Sequence, residues 1–239
     1  MLQAVKRQLS VRKDDWLLGS FIAVIAYLAG GILLAVLMFL NKSADFYINL
    51  GSILAMAVGG IYFLITVVGS TISYFNLEIS FGSTRKEFLI SHYAVCFLHG
   101  MSYVVLIVVL AFLEQILAKF FWADKALVMD ILPWIPKVGG LLVTGIMILS
   151  TLAAALIMRF GRLAGWTLWG VWMVFFIGAP QVMDAVEEAP DSVFGKIGRW
   201  FLWLAGQLPW YGWLALGGGA ALLCLLGTVW ILKKQQVTA

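Results

Sequence analysis

His92, Cys96 and His99 lie four and three residues apart in an otherwise apolar run. Such steps put side chains on one helical face. A metal site or a proton relay is the chemistry that face could carry. No carboxylate stands near the two histidines in sequence, and His92 falls close to the end of the run. The expectation is therefore of satisfied or headgroup-facing histidines. Glu114 sits at the far end of the same run, with Lys119 beyond it. An ionisable residue deep in a span costs roughly 2.5–3.5 kcal/mol, and the apolar runs hold almost none. HExxH, GxSxG and the Gly-rich Walker loop are all missing, so the sequence offers no zinc-protease, serine-hydrolase or ATP-hydrolysing constellation. Cys96 and Cys224 are too separate to define a disulfide framework and are expected as small buried hydrophobes.

The elements that must carry these residues follow from composition. The chain has 239 residues, a mean hydropathy of +0.99, 63% hydrophobic residues and 12% charged ones. That is too little polar surface for a soluble domain of this length. The fold class is an all-α, polytopic membrane protein in one transmembrane domain. A spanning helix needs about 20 mostly apolar residues, and six runs meet this. The helices are expected at 16–40, 49–74, 88–117, 138–158, 163–183 and 210–232. The first run is too long for a cleaved signal and lacks a small-residue cleavage site, so a retained helix is expected.

Six crossings put both termini on one side. That side would hold Lys6, Arg7, Arg12, Lys13, Arg85, Lys86, Arg159, Arg162, Lys233 and Lys234, against Asp14, Asp15, Glu78 and Glu87. The other would hold Lys42, Lys119, Lys125, Lys137, Lys196 and Arg199, with the remaining acidic residues. The basic excess places both termini in the cytoplasm of a cell membrane by the positive-inside rule.

Residues 1–15 read as an interfacial elbow helix. Leu2, Val5 and Leu9 fall on one face and Lys6, Arg7 and Lys13 elsewhere, which suits apolar contact with lipid and basic contact with headgroups. An ordinary positive-inside flank is the alternative. The loop 118–137 is aromatic, holds Pro133 and Pro136, and is expected to lie on the outer surface. Residues 192–207 read as an outer amphipathic segment, with Pro209 separating it from the sixth crossing. One long helix kinked at Pro209 is the rival arrangement. Gly161 with Gly165, and Gly217 to Gly219, are expected to permit close helix packing. The halves share no repeat, which argues against inverted-repeat transporters.

One polar stretch between apolar runs remains: Phe81, Gly82, Ser83, Thr84, Arg85, Lys86, Glu87, Phe88 and Leu89. Gly82 can take the left-handed conformation that ends a helix. Thr84 stands three residues before Glu87, the spacing of a capping box. Residues 75–87 thus form a tight elbow expected on the cytoplasmic side. A capped turn that only sets topology is the plain alternative.

The string SFGSTRKEFL resembles the FG-[VS]-[ST]-RK-x-F signature of short ATP-binding-cassette type-2 exporter permeases, especially those of Gram-positive bacteria. The layout is similar too: an N-terminal elbow, six crossings, and an outer amphipathic segment before the last. The resemblance implies a permease that pairs with a second permease copy, as a homodimer or a close paralogue heterodimer. It also implies two copies of a separate ATPase subunit. ATP and Mg would be bound by that partner, so this chain would not itself be an enzyme. The resemblance makes 75–87 a coupling helix and gives ATPase coupling to Phe81, Gly82, Ser83, Thr84, Arg85, Lys86, Glu87 and Phe88, with Phe81 and Phe88 as apolar anchors. It implies export of a hydrophobic or amphipathic cargo, of the antimicrobial or cytolytic peptide type, from a bacterial cell. Membrane lipid is the other expected partner, and nucleic acid is not one. A drug or lipid exporter, a secondary transporter or a channel is the alternative.

Overall fold

A computed structural model describes residues 2–41 and 46–235; Lys42 and Asp45, counted above on the outer side, lie outside them, as do the side chains of Leu2 and Trp210. The described residues form eight helices and two short strands. The helices are α1 (Leu2–Val11), α2 (Lys13–Leu40), α3 (Leu50–Ser80), α4 (Arg85–Phe121), α5 (Ile135–Phe160), α6 (Arg162–Glu188), α7 (Val193–Gln207) and α8 (Trp210–Lys234). The strands are β1 (Phe46–Ile48) and β2 (Ala126–Met129). All the helices except α1 and α7 are long and apolar enough to cross a membrane. The chain is an all-helical multi-pass membrane protein apart from one ribbon.

That ribbon departs from the sequence expectation. Phe46 pairs with Ala126, Tyr47 with Leu127 and Ile48 with Met129, in parallel. Part of the 118–137 loop is thus tied to the segment that precedes α3. Tyr47 anchors it by packing with Leu34, Met38, Ala118 and Trp122.

A second departure concerns the coupling helix expected at 75–87. It is not a separate element. α3 runs unbroken to Ser80, and the remainder is a turn plus the first residues of α4. Phe75, Leu77 and Ile79 simply extend the α3 pattern, because no residue before Gly82 breaks the helix.

The chain divides into two compact units, one reaching Thr151 and the other starting at Leu152. In the first, α2 packs along α3 through small residues. Ala23 and Ala55 are fully buried. A Cβ added at Gly30 would lie 2.7 Å from both the Gly51 Cα and the Leu50 carbonyl oxygen, so only glycine permits this approach. Phe63, Val67, Cys96, Tyr103, Val143 and Met147 form a core between α3, α4 and α5.

Glu114 of α4 starts α3. The N-cap residue Asn49 makes no side-chain cap. Instead Glu114 accepts from the Gly51 and Ser52 amides, each at 2.9 Å, and from the Ser52 hydroxyl. These amides would otherwise be orphan donors of the first turn, and a carboxylate there complements the helix dipole.

In the second unit α7 folds back onto the end of α6. A Cβ at Gly195 would crowd the Ala185 and Ala189 carbonyls, and one at Gly198 would crowd Val182 and Val186. Ser192 caps α7 by accepting from the Gly195 amide at 3.0 Å. Leu208 is extended and Pro209 is the N-cap of α8, so a single helix kinked at Pro209 does not form. No residue of α6 is buried. A Cβ added at Gly165, Gly217, Gly218 or Gly219 would meet nothing within 4 Å among the described residues, so none of them closes a helix contact there. Gly161 makes the turn between α5 and α6, with φ +60°.

Candidate functional site

The turn between α3 and α4 is built as its residue types require. Gly82 has φ +84°. Its amide donates to the Ile79 carbonyl at 3.0 Å, and the Ser83 amide donates to the Glu78 carbonyl at 3.1 Å. This pair of bonds is the Schellman stop, which satisfies carbonyls left open at a helix end. Two residues later α4 begins. The Glu87 amide donates to Thr84 Oγ1 at 3.2 Å, and the Thr84 amide donates to Glu87 Oε2 at 3.0 Å. The capping box read from the sequence is complete.

The eight proposed coupling residues do not share one surface. Phe81 is 64% exposed, and Gly82, Thr84 and Lys86 are exposed with it. Ser83, Arg85 and Glu87 are half-buried. Phe88 is fully buried, 5.3 Å from the Phe75 ring edge-to-face and stacked on His92 at 5.4 Å. It cannot anchor a partner as expected. It stands on the inward side of α4, where it joins α3 to α4.

α1 braces the turn. Arg7 grips Glu78 at two points: Nε donates to Oε1 at 3.0 Å and Nη2 pairs with Oε2. Nη2 also donates to Ser83 Oγ at 2.9 Å, and that hydroxyl donates to Glu78 Oε2 at 3.0 Å. The hydrogen bonds to Glu78 raise the Arg7 pKa above its ordinary value, and partial desolvation opposes this. The next residue, Gln8, donates from Nε2 to Ser91 Oγ at 2.9 Å.

Arg12, between α1 and α2, is buried at 1% exposure. Its Nη2 meets His92 Nδ1 at 2.7 Å, its Nη1 meets Cys96 Sγ at 3.0 Å, and its guanidinium lies 5.3 Å from the Tyr74 ring centre. Guanidinium only donates, so His92 Nδ1 accepts. Nε2 then carries the proton and gives it to Thr71 Oγ1 at 2.9 Å, while Thr71 donates to the Val67 carbonyl at 2.7 Å. Hydrogen-bond direction alone thus fixes the His92 tautomer. The Arg12 charge has a ring and neutral acceptors around it, and among the described residues neither ion pair includes it.

Of Lys6, Arg7 and Lys13, the basic residues expected toward headgroups, only Arg7 departs, by pairing with Glu78. Gln8 of α1 and Arg12 just after it are buried against α4, and Lys6 and Lys13 are exposed. The histidines separate. His92 and Cys96 meet, Nε2 lying 3.5 Å from Sγ. His99 sits apart among the rings of Trp16, Phe63 and Tyr103, with centroids 4.9–5.7 Å away. Sequence reading missed Arg7, Gln8, Arg12 and Glu78 as one site. A signal existed: Gln8 and Arg12 are four apart, as are His92 and Cys96, so two polar stripes were available to face each other.

No protein-family model matches the chain, and neither does any curated protein or solved structure.

Proposed function

We propose that the chain is the membrane-spanning permease subunit of an ATP-binding-cassette exporter, driven by a separate ATPase. The observation that carries this reading is the set of bonds that braces the α3–α4 turn. A Schellman stop, a capping box and the Arg7–Glu78 pair hold the four residues of chain between two long helices. A turn that transmits force must resist bending, and one that only sets topology needs no brace. The exposed Phe81, Thr84 and Lys86, with the half-buried Arg85, form the docking face. Phe81 supplies the apolar anchor alone, and Arg85 offers paired hydrogen bonds to acidic or carbonyl groups.

In this reading both termini and the turn face the cytoplasm. ATP and Mg bind the partner, whose closure pushes on the turn. The exposed aromatic face of α6, with Trp166, Trp169 and Trp172 each more than half exposed, meets lipid or a second permease copy. The cargo is hydrophobic or amphipathic, of the antimicrobial-peptide type.

The test is co-expression and co-purification with a candidate ATP-binding-cassette ATPase subunit, followed by cargo-stimulated hydrolysis. Arg85→Lys keeps charge but loses the planar fork. It should insert normally and weaken ATPase binding or stimulated turnover, and Phe81→Ala should do the same. If both variants bind and stimulate as the parent does, the turn is only a turn.

A further inference from the structure

A groove of about 560 Å³ runs beside α2 and α4 at the end of α4 that carries Glu114. Its walls are apolar and aromatic, with Tyr27, Leu34, Met38, Leu117 and Trp122 among them. Among the described residues, Glu114 is the one charged residue that lines it. The floor is open at Gly31, where an added Cβ would meet nothing within 4 Å. The neighbouring Gly30 is consumed by α2–α3 packing, so the glycine pair serves two ends: one closes the helix contact and the other leaves the groove.

Glu114 is 6% exposed, and its three donors are the Gly51 amide and the amide and hydroxyl of Ser52. Oε2 accepts two of these bonds and Oε1 only one. A carboxylate offers about four acceptor positions, so Oε1 keeps one. Neither ion pair among the described residues involves Glu114. The helix terminus that could attract an anion is already occupied by this carboxylate, so the groove disfavours negatively charged ligands. Its complement is a single positive charge on an apolar body. The acid supplies the counter-charge, and the Tyr27 and Trp122 rings supply faces that attract cations.

We infer that this groove binds a lipophilic cation, with the charge beside Glu114 and the apolar body against α2 and α4. The inference does not rest on the exporter reading, because binding is measured on this chain alone.

The probe is radiolabelled tetraphenylphosphonium, titrated against the purified full chain in nanodiscs of uncharged-headgroup lipid. Saturable binding is expected, and the uncharged triphenylphosphine oxide should displace it at least about tenfold less well than unlabelled probe. Glu114→Gln should weaken binding about tenfold or more. That change also disturbs the α3 cap, so Gly31→Leu provides the second arm. It fills the floor, leaves the Glu114 donors in place, and should weaken binding by a similar factor. Gly217→Leu in α8 should bind as the parent does. The inference is overturned if the parent binds no more than empty nanodiscs, if the uncharged compound competes equally, or if Gly31→Leu leaves the affinity unchanged. An occupant that is only a lipid acyl chain would produce the second of these results.

Discussion

Arg7 and Glu78 are 71 residues apart in sequence and form a two-point ion pair that ties the first helix of the chain to the last turn of α3. The two members are unequally placed. The Glu78 side chain is 6% exposed and that of Arg7 is 40% exposed. The pair is therefore a surface cation closing over a buried acid. Removing the cation strands the acid, whereas removing the acid leaves a solvated arginine.

Arg7→Ala should accordingly cost more than Glu78→Gln. The expected loss for Arg7→Ala is about 1–2 kcal/mol, less than for a fully buried pair because solvent screens the exposed partner. Amide hydrogen exchange should rise across α1 and residues 78–84 together. A rise confined to α1 would show that the brace does not reach the turn.

Arg12 should tolerate no simple replacement. Arg12→Lys keeps a charge but cannot reach His92 and Cys96 with two separate nitrogens. Arg12→Ala leaves the His92 acceptor unsatisfied in a buried site, at about 1–3 kcal/mol. Both should lower the thermal midpoint in detergent, and both effects should shrink in a His92→Phe background. Additive losses would mean that the two residues are not coupled.

Phe81 and Phe88 should part company. Phe88→Ala empties a fully buried ring position and should destabilise by about 3–5 kcal/mol. Phe81→Ala removes a ring 5.8 Å from the Arg7 guanidinium, should cost no more than about 1 kcal/mol, and acts mainly on partner binding. Thermal unfolding of the purified chain separates the two. Equal losses would contradict the burial difference.

Gly82→Ala places a Cβ in the left-handed region and should cost about 1–2 kcal/mol. Thr84→Ala removes the cap at about 1 kcal/mol. Faster exchange at residues 78–88 is the measurement, and protection equal to the parent would show that the turn does not depend on either device.

Orientation is read by cysteine labelling in a background without Cys96 and Cys224. A cysteine at Asp191, whose side chain is almost fully exposed, should react with an impermeant maleimide from outside the cell. One at Ser83 should not. The reverse pattern would overturn the cytoplasmic turn and the coupling role with it.

Some of this molecule was legible in one dimension. The six spanning helices follow from apolar run length, which depends only on bilayer thickness and helix rise. The stop at Gly82, the capping box at Thr84, the separate α7 and the start of α8 at Pro209 are local too. Each is fixed by conformational limits or hydrogen bonds within a few residues. What the tertiary structure alone decided is where the polar residues go. Arg7 reads from the sequence as headgroup-facing with Lys6 and Lys13, and Gln8 and Arg12 carry no assignment there, because helical periodicity says which residues share a face and not what the face meets. Phe88 reads as a surface anchor from its place in the SFGSTRKEFL string, yet the phase of α4 turns it inward. Glu114 looked like an interfacial acid beside Lys119, and only the approach of α3 made it a cap. The β1–β2 ribbon joins segments too short to carry an alternating pattern, so its pairing exists only once the helices have brought them together.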